Sequence, residues 1–333
     1  MPRSEETGLL PLAERRELRL PNGEFLRTPL LVPSFSSRVP DVEKVFRASG
    51  EFLDAPFLIS AYDIARRHMN PPFDFGVPVF LDSGGYEIGP DTDLSDVTTE
   101  PSGPPEDWDA TQHQAVLNTW TVPVPTIVIT YDHPRTRVSI ADQIQHAKKL
   151  ALPPANSCLE LLIKPETRDQ RFIQIDSLVH NARHFASFQA VGITEKEIGN
   201  SVLERMVNIA KLRLELRRLG LNIPIHVFGS LDSITTLFYF IAGADIFDGL
   251  TWLRYAFRSG QTVYRQDYGI REFGVGTKSP KIEALCWAKN YHYIREMELE
   301  MRRFLTSHDF SVFRFHAETL KAAYQNVEEE VSQ

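Results

Sequence analysis

Eight short apolar stretches, each followed by a helix-like or turn-rich segment, constrain this chain more than any other feature of its sequence. They run Thr28–Phe35, Pro56–Ser60, Val79–Leu81, Pro125–Tyr131, Leu159–Ile163, Phe185–Val191, Ile223–Phe228 and Ala244–Phe247. Helices are predicted between them at Asp41–Ala48, Tyr62–His68, Trp108–Trp120, Ser139–Leu150, Arg168–Arg183, Lys196–Leu219 and Leu231–Ala242. Strands that are apolar throughout and separated by helices belong to a parallel sheet covered on both faces. Eight such units in about 250 residues is the count of an α/β fold of the (β/α)8 TIM-barrel type. A doubly wound open sheet is the alternative, but its GxGxxG fingerprint is missing after the first strand.

The expected organisation is an N-terminal segment over 1–27, the barrel over 28–275, and a helical region over 276–333 packed on the barrel. Within the last, Asn290–Leu305 and Phe310–Val327 read as two amphipathic helices. Asp91–Asp107, rich in Pro, Ser, Thr and acids, is predicted to be a surface loop. The two cysteines, Cys158 and Cys286, lie far apart, with no CxxC or Cys/His cluster. That pattern indicates neither a disulfide framework nor a zinc site. No stretch approaches the ~18 apolar residues of a membrane span, and no secretory signal is visible, so a cytoplasmic protein is expected. A net charge of −8 argues against broad electrostatic binding of nucleic acid, though it leaves room for a local basic patch.

In such barrels chemistry sits at the C-terminal ends of the strands. Those ends carry Asp82, Asp132, Lys164, Gly192, Gly229 and Asp248. Three carboxylates, one cation and several glycines would thus converge on one mouth. Each acid taken alone also reads as a helix cap or half of a salt bridge. Asp82 opens the turn Asp82-Ser83-Gly84-Gly85, whose glycines let backbone N–H groups approach a ligand.

The pattern resembles the tRNA-guanine transglycosylase family. The family signature close to DSGGFQ corresponds to Asp82-Ser83-Gly84-Gly85-Tyr86-Glu87. Its AFDECTP phrase is matched loosely by Ile129-Thr130-Tyr131-Asp132-His133-Pro134, and its GGL phrase by Val191-Gly192-Ile193. LMGVG resembles Val227-Phe228-Gly229-Ser230. The nucleophile phrase MFDCVMPTR with its NGQ-like turn resembles Ile246–Arg254 followed by Ser259-Gly260-Gln261. These matches keep family order from about residue 28 to 265.

The resemblance implies a pentosyltransferase that exchanges guanine for a 7-deazaguanine, such as preQ0, in a polynucleotide, without a cofactor. Asp248 would attack C1′ of the sugar, leaving a covalent glycosyl-enzyme. Asp82 would act as general acid/base. Asp132 would accept from the N1–H and 2-amino group of the base, with Gly192 and Gly229 lining its slot and Tyr86 walling it. A carboxylate nucleophile paired with a second carboxylate is also the general chemistry of glycosyl transfer.

Two departures from the family pattern bear on the substrate. Where the family carries a CxCxxC…His zinc site this chain has Glu283, Leu285 and Ala288, with Cys286 out of register, before Lys289-Asn290-Tyr291-His292. No metal is therefore expected, and the zinc subdomain is replaced by helix packing. The family's QG phrase after the fifth strand is here Lys164-Pro165, so the residue facing the base edge is changed. The family has relatives that install deazaguanines in DNA, and loss of the tRNA-type zinc region fits them. DNA is the favoured partner and tRNA the alternative, with an accessory protein as a further possible partner.

Arg254, Arg258, Arg265 and Arg271, interleaved with Trp252, Tyr255, Phe257, Tyr264, Tyr268 and Phe273, suit a groove for a nucleic-acid backbone beside an extruded base. The competing readings are nucleoside-level exchange or hydrolysis, a non-catalytic partner subunit of an active paralogue, and a Schiff-base enzyme using Lys164.

Overall fold

The computed structural model describes residues 11–73, 75–89, 107–132, 136–153 and 156–332. Residues 91–106 of the predicted loop, together with His133 and Pro134, lie outside the described residues. Eight strands form one parallel sheet: β1 Leu30–Pro33, β2 Phe57–Ser60, β3 Val79–Asp82, β4 Thr126–Ile129, β5 Ser157–Ile163, β6 Ala190–Thr194, β7 Ile225–Phe228 and β8 Ile246–Gly249. Their spatial order is β1-β8-β7-β6-β5-β4-β3-β2. The two ends of that order meet, because Phe35 N donates to Leu58 O at 2.9 Å and Ser34 bridges Leu58 in parallel. The sheet closes on itself, with helices around it, as the eightfold alternation predicts.

Side chains alternate across each strand, which sorts every strand into two sets. Val32, Phe80, Ile127, Ile129, Leu162 and Ile246 point inward and pack with one another. Leu31, Val79, Leu81, Val128, Val191 and Phe247 point outward into the helical layer. The inward set includes the polar residues Asp82, Glu160, His226 and Asp248, since each lies two or four positions from an inward apolar neighbour. Parity therefore decides which polar groups face the barrel interior.

One predicted strand is displaced. Phe185–Val191 alternates like a strand, but Ala182–Ser187 is a 3-10 turn and the strand itself is Ala190–Thr194. Phe185, fully buried, packs in the helical layer, so its apolarity reports a helix-side anchor rather than strand pairing. The strand consequently runs through Gly192 to Thr194. The helix predicted from Arg168 begins only at Ile175. The one predicted from Lys196 begins at Val202, where the Ser201 hydroxyl accepts from Glu204 N.

The bottom of the barrel is closed by an antiparallel hairpin, Glu17–Arg19 with Phe25–Arg27, whose Leu18 joins the inward cluster. Beside it Asp245, just before β8, accepts from Arg16 Nη1 at 3.0 Å, Arg213 Nη2 at 2.5 Å and Ile225 N at 2.8 Å. Three segments are thus tied to one buried carboxylate, whose charge two guanidinium groups compensate.

The C-terminal region is two helices, Ser279–Ser307 and Ala317–Ser332, both displaced from the predicted bounds. The first starts earlier because Pro280 sits in its first turn, where the missing N–H has no partner to lose. Its Asn290 side chain accepts from Phe257 N at 2.7 Å and donates to Trp252 O and Tyr255 O, at 2.6 and 2.7 Å. One side chain thereby fixes the chain leaving β8. No helix among the described residues is long and apolar enough to cross a membrane.

Candidate active site

A cavity of about 840 Å³, open mouth included, lies at the C-terminal end of the barrel. Asp82, Asp132, Lys164, Gly229, Asp248 and Tyr86 all line it. Six residues predicted from strand ends and turn motifs are therefore gathered around one space.

Asp248, next to last in β8, is 6% exposed. Its Oδ2 accepts from the Ser34 hydroxyl at 2.7 Å, and its Oδ1 from Gly229 N at 3.0 Å. His226 Nε2 lies 3.3 Å from the same Oδ1. Gly229 adopts φ +80°, a backbone conformation that suits glycine and aims its N–H at the carboxylate. Two donors thus hold a carboxylate at the edge of the cavity, and the His226 ring stands within ion-pair distance of it.

In the Asp82-Ser83-Gly84-Gly85 turn that ends β3, each residue has a structural task. Gly84 N donates to Asp82 at 3.1 Å, and the Ser83 hydroxyl donates to Asp132 at 2.5 Å. Gly84 sits at φ +90°, and a Cβ there would lie 2.5 Å from Tyr62 Cβ. A Cβ on Gly85 would lie 2.5 Å from Asp132 Oδ1. The turn therefore presents Asp82 and seats Asp132 at once. Burial, and after it the charges of Asp132 and Asp248, push the Asp82 carboxyl up to about 7, against the pull of the Gly84 N–H. Asp82 can hold a proton near neutrality while Asp248 sits among donors.

Lys164 Nζ pairs with Glu197 at 2.7 Å and stands 3.6 Å from Asp132. Burial alone would lower its pKa, but Glu197 and Asp132 outweigh it and the ammonium is held above its ordinary range. Glu197 also pairs with Arg137 at 3.2 Å and accepts from the Thr194 hydroxyl. An amine stabilised as ammonium is a poor nucleophile, which counts against Schiff-base chemistry at Lys164.

Tyr86 Oη accepts from Arg254 Nη2 at 2.8 Å, and the Arg38 guanidinium lies 4.3 Å from its ring centre. Gly192 is not among the lining residues. A Cβ there would lie 2.4 Å from the Phe228 ring, so its smallness makes room for Phe228, which does line the cavity. Of the four arginines expected in a groove beside the site, Arg254 reaches the cavity wall through Tyr86, and the other three are not among the lining residues. Arg258 pairs with Glu272 at 2.9 Å, Arg265 binds Glu283 at 3.0 Å and Leu253 O at 2.8 Å, and Arg271 is exposed on the helix Arg265–Phe273. Cys286 packs in an apolar cluster with Ala256, Tyr268 and Ile282, and burial pushes its thiol up to about 11. Among the described residues no three His, Cys, Asp or Glu side chains are grouped to hold a metal ion.

Sequence reasoning missed Ser34, Glu87, Glu160, Glu197 and His226. Glu87 lines the cavity and accepts from the Ser36 hydroxyl at 2.6 Å. Burial, then the charges of Asp63 and Asp82, hold its carboxyl well above the usual range. Glu160 and His226 had a readable signal, since both share the inward parity of Lys164 and Phe228 on their strands.

Fold and site together define a (β/α)8 barrel with an acidic cluster and the buried ammonium of Lys164 at its C-terminal mouth. A scan against family models matches none of them to this chain, and a search of curated proteins finds no match.

Proposed function

We propose that the chain is a guanine transglycosylase, exchanging guanine for a 7-deazaguanine in a polynucleotide through a covalent aspartyl-glycosyl intermediate. The observation that carries this reading is the pairing, around one cavity, of the donor-held carboxylate Asp248 with Asp82, a carboxyl titrating near 7. Asp248 Oδ attacks C1′ of the nucleotide. The C1′–N9 bond breaks, its electron pair leaves with guanine, and guanine takes the proton of Asp82. In the second half Asp82 accepts the proton of the incoming base, whose N9 bonds to C1′ and frees Asp248. Such a carboxylate pair is the chemistry of retaining glycosyl transfer.

Asp132 is the group for the Watson–Crick edge. Its two oxygens offer about four acceptor sites, of which Ser83 takes one, leaving capacity for N1–H and the 2-amino group. Phe228 and Tyr86 supply flat surface on the cavity wall. The ordering of the sequence motifs, DSGG through the aspartate of β8, is the resemblance on which the base identity rests. The reading makes this a cytoplasmic enzyme of nucleic-acid modification, with DNA favoured over tRNA.

One observation favours a smaller substrate. Arg258 and Arg265 are engaged by Glu272 and Glu283, which weakens the case for a long phosphate track beside β8. Nucleoside-level exchange is the second reading.

Incorporation of radiolabelled guanine into duplex DNA, single-stranded DNA, bulk tRNA and free guanosine, assayed in parallel, separates these readings. Label in DNA is expected. Label in guanosine alone supports the second reading, and label in none of them removes the transglycosylase assignment.

A further inference from the structure

His226 lies at the centre of the barrel, fully buried, with a carboxylate on each side of its ring. Nδ1 is 2.7 Å from Glu160 Oε1, and Nε2 is 3.3 Å from Asp248 Oδ1. With its single proton on Nδ1 a neutral ring would satisfy Glu160 and turn a lone pair toward Asp248; a second proton, on Nε2, replaces that repulsion with an ion pair, although the 3.3 Å contact is not aligned as a hydrogen bond. We propose that Glu160 and His226 form a buried positioning pair whose imidazolium seats Asp248 and balances its charge for attack on the sugar. This rests on the transglycosylase reading above.

The surroundings favour such a cation. Phe228 stacks on the ring at 3.9 Å between centroids, and Phe80 meets it edge-on at 5.8 Å. These aromatic walls exclude water, so each carboxylate acts on the ring at low dielectric. Burial alone would discharge the ring, but Glu160 and Asp248 prevail and push His226 up to about 9. The groups facing Asp248 are His226, the Ser34 hydroxyl and Gly229 N–H, with the charge of Asp82 felt across the cavity. Gly192 contributes by absence, since a Cβ there would stand 3.0 Å from Glu160 Oε1.

The charge balance explains why two carboxylates flank one cation. Before attack, Glu160, His226 and Asp248 sum to one negative charge. Once Asp248 is esterified to C1′ it is neutral, and the remaining Glu160–His226 pair is neutral as well. The covalent intermediate therefore leaves no uncompensated charge in this part of the interior. His226 alone would bind Asp248 as a full ion pair and reduce its nucleophilicity, and Glu160 offsets that by sharing the cation. His226 holds its protons throughout, so it is a positioning residue and not the acid of the reaction.

The test combines histidine ring nitrogen NMR with exchange kinetics on full-length protein. The wild-type His226 ring is expected to stay doubly protonated at pH 7.5 and to lose that state in Glu160→Gln, and a neutral wild-type ring there overturns the proposal. His226→Gln, checked for folding by thermal melting, is expected to lower kcat for labelled-guanine exchange about 100-fold with KM for guanine unchanged. Glu160→Gln, close in size, is expected to lower kcat in the same direction and shift the pH profile. Exchange by the wild type with an unaltered kcat in both variants overturns the pair alone. Absence of exchange by the wild type overturns the transglycosylase reading, and the catalytic role of the pair with it.

Discussion

Ser34 directly follows β1 and Asp248 lies in β8, and their 2.7 Å hydrogen bond ties these paired strands together at the residue whose bridge to Leu58 closes the barrel. The same Ser34 hydroxyl oxygen accepts from Gly249 N at 3.0 Å. One small side chain therefore joins barrel closure to the seat of the proposed nucleophile. Ser34→Ala leaves a buried Gly249 N–H without its acceptor and Asp248 with one donor fewer. A loss of about 1–3 kcal/mol in urea denaturation is expected, together with a fall in kcat of about tenfold or more. Unchanged kcat in a folded variant contradicts the seat.

Asp82 predicts an unusual pH dependence. Its native carboxyl titrates near 7 against 3.8 for the free group, so the native state binds the proton more tightly than the unfolded chain. Its contribution to stability is then complete below about 3.8 and is lost as pH rises to about 7. Asp82→Asn, which avoids that buried charge, is expected to melt higher than the wild type at pH 8, with the difference shrinking toward pH 4. The same variant should abolish exchange. Wild-type kcat/KM for the polynucleotide should decline above pH ~7, where the acid has lost its proton.

Gly85→Ala tests the seating of Asp132. The new Cβ would fall 2.5 Å from Oδ1 and 2.8 Å from Cγ of Asp132, so that side chain must move. A displacement of this kind in a recognition group costs on the order of 10- to 100-fold. The expected result is a raised KM for guanine with the thermal midpoint little changed. An unaltered KM would show that Asp132 does not read the base.

How much of this was legible in the sequence depends on what each residue does. Asp82, Lys164 and Asp248 follow apolar runs, so strand-end reasoning finds them. Gly192 and Phe228 were legible only as a phrase, and their packing relation needed three dimensions. Glu160 and His226 sit within apolar strands, where a polar residue reads as an interruption until inward parity is considered. Phe185–Val191 misled because a 3-10 anchor and a buried strand are both short and apolar. Ser34 gave no signal, since its role arises from a strand far away in sequence. The arginines downstream of Asp248 read as a cationic groove from their spacing with aromatics, and that spacing does not reveal that Glu272 and Glu283 lie beside Arg258 and Arg265.

Lys164 tests the electrostatics of the mouth. Lys164→Met removes the ammonium between Glu197 and Asp132, while Arg137 still compensates part of the charge on Glu197. Breaking a buried pair by deleting one partner costs about 3–5 kcal/mol, and the lower end is expected here. The loss should diminish in acid as Glu197 takes up a proton. Borohydride treatment with a carbonyl compound should leave Lys164 unmodified, and a reduced adduct on that residue would revive the Schiff-base reading.

The central claim is a covalent bond from Asp248 to the sugar, and trapping that bond tests it most directly. Protein mixed with a guanosine- or deoxyguanosine-containing oligonucleotide is quenched in acid and read by intact mass and peptide mapping. The account predicts an adduct of one oligonucleotide that has lost guanine, located on the peptide containing Asp248 and absent from Asp248→Asn. Undiminished exchange by Asp248→Asn, or an adduct on another residue, would contradict it.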